Sequence, residues 1–387
     1  MQTAAAQNTT KISRTIAYYA GFVALGMTTA SLGPTLPGLA AHTRSTLGEV
    51  SFLFTARSLG YLLGSLGGGR WFDRFPGHRI QAGMLLLMAG MIALAPTVPM
   101  LWLLAAVLVV LGFGEGTLDV GGNTLLVWVH GKEVGPFMNG LHLFFGLGSF
   151  LSPVIIAQAV LLSGDITWAY WILALLILPV VIWVARLPSP PIMTGHEDGR
   201  DVRLNYGLIG LVMLFFFLNV GSETSFGGWI FTYARALNLG TETGAAYLTS
   251  MFWGSFTLGR LLSIPIATRF HPRWILLGVV LAGLASLALI LAGRSSYPIV
   301  LTGVIGTGLS MASIFPTTIT LAGRYLPING RITGLFFVGG SAGAMFFPWL
   351  IGQLFEPVGP QVTMVLILAA LTAALAVYGA LMLRFNQ

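Results

Sequence analysis

Cysteine is absent from the chain, which removes disulfides, thiolate metal sites and cysteine nucleophiles together and leaves the redox compartment unreadable. Charge is nearly as scarce: 8% of the 387 residues are Asp, Glu, Lys or Arg, against about a quarter in an ordinary soluble domain. Polar interruptions are short, so nothing is left over from which to build a soluble domain of any size. Most of the rest is apolar, with 56% hydrophobic residues gathered in runs near the roughly 20 residues a helix needs to cross the hydrocarbon core. Such a chain is an integral membrane protein.

Twelve runs are predicted to span, near 15–40, 48–69, 80–96, 100–128, 136–162, 168–187, 205–236, 243–266, 273–292, 298–323, 331–353 and 361–384. The opening stretch MQTAAAQNTTKISR is polar and the run after it far exceeds a signal-peptide core, so no cleaved leader is expected. The net charge of +7 is a matter of placement. With the amino terminus inside, fifteen Lys and Arg residues fall at cytoplasmic ends, Arg200, Arg203, Arg260 and Arg331 among them, and only Arg44, Arg235 and Arg294 fall outside. That asymmetry is the positive-inside signature and puts both termini in the cytoplasm. The basic balance reports topology, and no nucleic-acid partner is expected.

The chain also repeats itself. LGYLLG (59–64) with DRFPGHR (73–79) is echoed by LGRLLS (258–263) with TRFHPR (268–273), and Gly140-Leu141 to Pro153 by Gly334-Leu335 to Pro348. Gly33-Pro34 and Gly227-Gly228 fall at matching places, the first echo at a shift of 199 residues and the others at about 194. The expected architecture is all-α: an amino-terminal six-helix bundle (1–187), a charged cytoplasmic linker (188–204) and a carboxy-terminal six-helix bundle (205–387). Because six is even, the two repeats are parallel. Such an arrangement predicts a solute site near the midplane between halves that rock against each other. No nucleophile elbow or metal cluster is present, and GGGR (67–70) lacks the Lys-Ser/Thr of a phosphate loop. Neither an enzyme nor a bound cofactor or metal is expected.

GRWFDRFPGHR (69–79) resembles the Gly-x-x-x-Asp-Arg-x-x-Gly-x-Arg signature of the major facilitator superfamily. GTLDVGGNTLL (116–126), MNGLHLFFGLGSFLSP (138–153), VGSETSFGGWIFTYA (220–234), GRLLSIPIA (259–267) and FFVGGSAGAMFFPWLIGQL (336–354) are similar to the sodium-dependent glucose transporter and fucose permease group. The resemblance runs through both halves. It implies a hexose or related solute driven by a proton or sodium gradient. It also implies that Asp73, Arg74 and Arg79 form a cytoplasmic latch, with Asp73 at a helix amino terminus where its charge is favoured; a topogenic charge cluster is the plainer alternative. Thr268 stands in the second repeat where Asp73 stands in the first.

Polar residues inside the runs carry the rest. Glu115, Asp119 and Asn123 recur every four residues and share one helical face. An ionised carboxylate there costs at least about 2.5–3.5 kcal/mol, so the face looks into a cavity or at a partner; protonated acids in a helix-helix hydrogen bond are the alternative. By resemblance to the fucose permease type, in which such an acid couples proton uptake to sugar, Asp119 followed by VGGN is the expected coupling residue, with Asp for Glu; Glu115 lies outside that match and is expected on the ion path as an intramembrane acid. His142 on the fifth run reaches a similar depth, as a proton relay or a packing residue, and Asn139 one turn earlier offers an amide to a hydroxylated solute. Arg57 and Glu223 both lie in the outer half and are expected to pair as a gate or a fixed bridge, with Glu115 the second candidate partner. Asn219, Glu223, Phe226, Trp229 and Tyr233 form a polar and aromatic run suited to sugar hydroxyls and C–H faces; interfacial anchoring is the alternative for the last two. Gly227-Gly228 is expected to loosen that helix, and Gly339, Gly340 and Gly343 to permit close helix approach.

The reading is an ion-coupled secondary transporter of a small polar solute, a sugar by preference. Proton-driven export of amphipathic compounds and a non-transporting membrane sensor are the alternatives. Its expected partners are a small-molecule substrate and the lipid bilayer, its expected state a monomer, and its expected place the plasma (inner) membrane, as a multi-pass protein with H+ or Na+ as coupling ion.

Overall fold

The computed structural model describes residues 2–192, 205–326 and 330–385, without the side chains of 2–9, 330, 331 and 385. Most of the expected linker, with Arg200 and Arg203, therefore lies outside the described residues, as does the side chain of Arg331. Among the described residues every element is helical. The first span is made of α1 (Gln2–Thr29) and α2 (Leu32–Thr43), bent by 45°. A short α3 (Leu47–Val50) leads into α4 (Phe52–Phe72), followed by α5 (Gly77–Leu94), α6 (Leu101–His130), α7 (Val134–Ser163) and α8 (Ile166–Arg186). The second six spans are α9 (Tyr206–Ala236), α10 (Glu242–Arg269), α11 (Pro272–Ala292), the broken pair α12 (Tyr297–Met311) and α13 (Ile314–Ala322), α14 (Gly330–Val358) and α15 (Val362–Phe385).

These helices fall on the twelve expected runs. By length and hydropathy alone eight stretches among the described residues qualify as spans, or nine with the bent first pair. One of the eight, Leu101–Ser163, holds both α6 and α7. The two that fail the hydropathy test are α4 and α10, which occupy the same place in the two repeats and carry Arg57 and Arg260.

Both broken spans share one feature. A proline inside a helix lacks an N–H and crowds the carbonyl four residues before it. Pro34 stands four residues after Ala30 and Pro316 four after Ala312; at each place the helix opens for two residues and restarts with proline in its third position. The tenth run, expected as a single helix over 298–323, is thus two. The seventh is not loosened at Gly227-Gly228, because α9 runs unbroken through both glycines.

By compactness the chain divides into two units, Met1–Leu32 with Leu59–Glu197, and Gly33–Ser58 with Asp198–Gln387. Residues 33–58 thus cluster with the second unit, where the repeat alone assigns them to the first. In the first unit a glycine ladder on α4 sets the contact with α6. A Cβ on Gly60 or Gly64 would run into the carbonyl oxygens of Val109 and Phe113, and one on Gly68 would lie 2.9 Å from the Thr117 methyl. Thr117 donates to the Gly64 carbonyl at 3.2 Å. Without a hydrophobic drive between helices in lipid, such close backbone approach supplies the association.

In the second unit the reason for the placement of 33–58 is equally local. A Cβ on Gly33 would lie 2.8 Å from the Gly227 carbonyl oxygen, and one on Gly228 2.6 Å from the Phe54 ring. Gln353 donates to the Gly48 carbonyl at 2.7 Å, the Leu47 N–H to Glu356 at 3.1 Å and Thr55 to the Met345 carbonyl at 3.0 Å. Gly339 and Gly343 let α14 lie against the Met213 and Phe217 carbonyls of α9, as small residues in a spanning helix should. Trp229 is fully buried, stacked on Phe355 with centroids 5.1 Å apart, and donates to the Pro348 carbonyl at 3.1 Å. Trp229→Phe removes that hydrogen bond, so thermal unfolding of the purified protein is expected to fall by the equivalent of about 0.5–1.5 kcal/mol; an unchanged midpoint would contradict the packing described.

Candidate functional site

The acidic face of α6 is assembled as its four-residue spacing predicts. Glu115 is buried, at 2% exposure, and Asp119 and Asn123 are half-buried. The Asn123 amide donates to both the Asp119 backbone carbonyl and its Oδ1, each at 2.9 Å. The other carboxylate oxygen, Oδ2, accepts from the Tyr61 hydroxyl of α4. Glu115 is near enough to act on that hydroxyl electrostatically. Gly116, between the two acids, lies against the Tyr61 carbonyl and Ser65, so the glycine contact that packs α4 on α6 also delivers Tyr61 to Asp119. Tyr61 was hidden in sequence by its place in an apolar run, LGYLLG.

The other first-unit candidates are placed as follows. His142 is half-buried and edge-on to Phe22, centroids 6.0 Å apart, and Asn139 is exposed. Asp73, Arg74 and Arg79 are exposed in and beside the turn between α4 and α5. Asp73 does not cap the helix that follows it, whose N-cap is Pro76 with no side-chain hydrogen bond. The buried polar side chain beside that turn is His78, in the first turn of α5, at 1% exposure. It bonds the Tyr18 hydroxyl at 2.7 Å and the Leu187 carbonyl at 3.0 Å, and its backbone N–H donates to Ser189 at 3.1 Å. His78 therefore ties α1 and α5 to the start of the linker.

In the second unit Asn219 is 5% exposed; its amide donates to the Phe215 carbonyl at 2.8 Å, and its Oδ1 has no partner. Glu223, one turn on, is half-buried. The charge acting on it is Arg260 of α10, where the sequence favoured Arg57, which lies half-buried near the start of α4. The charge asymmetry along the sequence places Arg260 at a cytoplasmic end. It sits instead nine residues before the end of α10, about 14 Å along the axis at 1.5 Å per residue, with its guanidinium 4.7 Å over the Phe256 ring. Its distance from the end of its run was the available signal.

Three aromatic candidates turn out differently from the lining expected of them. Phe226, Trp229 and Tyr233 are each at 0% exposure. Phe226 packs on Phe252 at 4.9 Å, Trp229 is engaged as above, and the Tyr233 hydroxyl donates to Gln361 at 3.1 Å. In this conformer they are packing residues, neither lining a cavity nor anchoring at the lipid interface.

The Major Facilitator Superfamily model matches residues 18–264. The chain is 32% identical over 359 residues to Sodium-dependent glucose transporter 1 of Xenopus laevis, covering 85% of this chain and 73% of that protein. Among solved structures it resembles a mutant of the nucleoside transporter NupG, with a TM-score of 0.80 and 14% identity over 96% of this chain and 99% of that one. It also resembles a D-xylose-proton symporter, with a TM-score of 0.76 and 15% identity over 95% and 97%. At those identities the structural likeness is one of fold, and the fold is the twelve-helix, two-repeat one expected.

Proposed function

We propose that this chain, which belongs to the Major Facilitator Superfamily, is an ion-coupled secondary transporter that carries a sugar by alternating access. That it is a multi-pass membrane transporter and not an enzyme follows from family and fold; solute and coupling are the proposal. The observation that carries it is Asp119, a half-buried intramembrane acid held by Tyr61 and Asn123. An ionised carboxylate is an acceptor only, and on protonation it gains a donor. Loading a proton weakens the acceptor that these two donors meet and adds an O–H that needs a partner of its own, and loading a metal cation draws the same oxygens away from their donors. Tyr61 lies three residues past the point at which α4 passes from one compact unit to the other, so a change at Asp119 acts on the helix that the two units share.

Sugar as the solute is supported by a relative named for glucose and a fold neighbour named for D-xylose. In this reading Asn123, Asn139 and Asn219 present amides to hydroxyls, His142 relays protons, Arg57 gates the outer side and Asp73, Arg74 and Arg79 latch the cytoplasmic side. The chain works as a monomer in the cell membrane with both termini in the cytoplasm.

Uptake of labelled glucose and xylose into proteoliposomes, under an imposed sodium or proton gradient, tests the proposal. Accumulation that collapses with the matching ionophore is expected. No flux of either sugar under either gradient would overturn it. Tyr61→Phe keeps the ring and removes the O–H; a hydrogen bond to a charged group contributes about 1.5–3 kcal/mol, so gradient-driven uptake is expected to slow at least about tenfold with the protein still folded. Unaltered uptake would show that the Tyr61 bond plays no part.

A further inference from the structure

The turn between α10 and α11 repeats the one between α4 and α5 with its acid removed: TRFHPR (268–273) has Thr268 where DRFPGHR (73–79) has Asp73. Arg269, His271 and Arg273 remain there, and Arg324, in the turn after α13, joins them. The Arg324 guanidinium donates to His271 Nε2 at 2.6 Å, and the Arg273 backbone N–H is aimed at the other ring nitrogen, Nδ1, at 3.4 Å. A neutral imidazole has one acceptor nitrogen, so one of these two donors is in surplus. The charges acting on His271 are those of Arg324 and Arg273, both of one sign.

Among the described residues no acid stands at this end of the second unit, whose described acids are Glu49, Glu223, Glu242 and Glu356. Glu242 opens the helix that Arg269 closes, about 40 Å away along α10. Glu356 lies in the last turn of α14, where the Leu47 N–H of the short α3 that carries Glu49 reaches it, and Glu223 lies midway along α9. The basic corner also has an apolar side. Phe270 and Trp274 are each 58% exposed, and the Arg273 guanidinium lies 5.2 Å over the Trp274 ring. From Trp274 an exposed face of α11 continues through Gly278, Leu281 and Ala285, and a Cβ on Gly278 would meet nothing within 4 Å.

We infer that this corner of the second unit binds an anionic phospholipid, its phosphate held by Arg324 and Arg273 and one acyl chain lying along the Trp274, Gly278 and Leu281 face of α11. Guanidinium forks match phosphate oxygens bidentately, and a phosphate oxygen takes the donor that His271 leaves in surplus. Basic pockets at the ends of spanning helices hold such headgroups. A free phosphate ion would meet the same arginines but would leave the apolar track beside them without a use. With the lipid in place, two cations that oppose each other become the two sides of one bridge, which staples the α10–α11 turn to the turn after α13. Binding needs neither solute nor coupling ion, so it stands apart from the transport reading.

The test is thermal unfolding of the purified full-length protein in an uncharged detergent as phosphatidylglycerol is added to the micelles. Phosphatidylcholine, whose choline cation cancels its charge, and inorganic phosphate at matched ionic strength are the comparisons. Phosphatidylglycerol is expected to raise the midpoint saturably, by mass action on the folded state, and the other two are not. Arg273→Gln and Arg324→Gln should each raise the half-saturating mole fraction at least about fivefold. Arg186→Gln, which removes an exposed basic residue from the last turn of α8 in the first unit, should respond as the wild type. Arg324→Glu sets a carboxylate beside His271 and Arg273; it should raise the midpoint without lipid and abolish the response to it, a gain that misfolding cannot mimic. An equal response to phosphatidylcholine or to inorganic phosphate, wild-type half-saturation in both arginine-to-glutamine variants of the corner, or a full lipid response in Arg324→Glu would overturn the inference.

Discussion

Asp119→Asn is expected to abolish gradient-driven accumulation of solute in proteoliposomes, by about 100-fold, the upper range of a coupling free energy, while exchange of labelled for unlabelled solute continues. Asparagine has nearly the volume of aspartate, and its amide oxygen still accepts from Tyr61. The helix contact is preserved. What is lost is the charge that a travelling cation neutralises. Folding does not suffer, because a neutral amide avoids the insertion cost of about 2.5–3.5 kcal/mol that an ionised acid carries. The two assays therefore separate the hypotheses cleanly: a dead protein fails both, and an uncoupled one fails only accumulation. Normal accumulation by Asp119→Asn would remove this residue from the coupling step.

The second large effect is on stability, and it comes from a matched pair of glycines in α4. Gly64 has no room for a methyl, since its Cβ would overlap the Phe113 carbonyl; Gly67, three residues on, has nothing within 4 Å. Alanine gains about 1 kcal/mol over glycine in a helix, so Gly67→Ala should hold or raise the unfolding midpoint. Gly64→Ala must push α4 from α6 against a backbone atom, and a cost of about 3 kcal/mol outweighs the propensity gain. Lowered thermal stability, or loss of a monodisperse peak in size-exclusion chromatography, is expected for the second variant alone. Equal behaviour of the two would mean that the α4–α6 contact is not as described.

Much of this was legible along the chain because hydropathy in a membrane protein is a one-dimensional signal. Span positions follow from it, and the shared face of Glu115, Asp119 and Asn123 follows from helical spacing, as the bond from Asn123 to Asp119 bears out. What escaped depends on neighbours distant in sequence. Tyr61 looks apolar in its run until α6 is laid beside it. Arg260 looks topogenic until the full length of α10 is known. Trp229 and Tyr233 have the composition of a sugar lining, but their exposure is decided by α14 and by Gln361. The break at Ala312 falls where a disruption four residues before Pro316 would be placed, but Pro153, Pro179, Pro265 and Pro348 sit inside helices that stay continuous, so proline alone does not mark which span parts.

The approach of Gly33 to Gly227 has one more implication. These two positions are counterparts under the internal shift of about 194, yet their surroundings differ: a methyl on Gly33 would strike the backbone of Gly227 and Gly228, whereas one on Gly227 would meet the Trp253 and Phe252 rings. Enlarging the earlier copy would have to push a main chain aside, while enlarging the later one would have to displace aromatic side chains, so the same position in the two repeats is held small by two different obstacles.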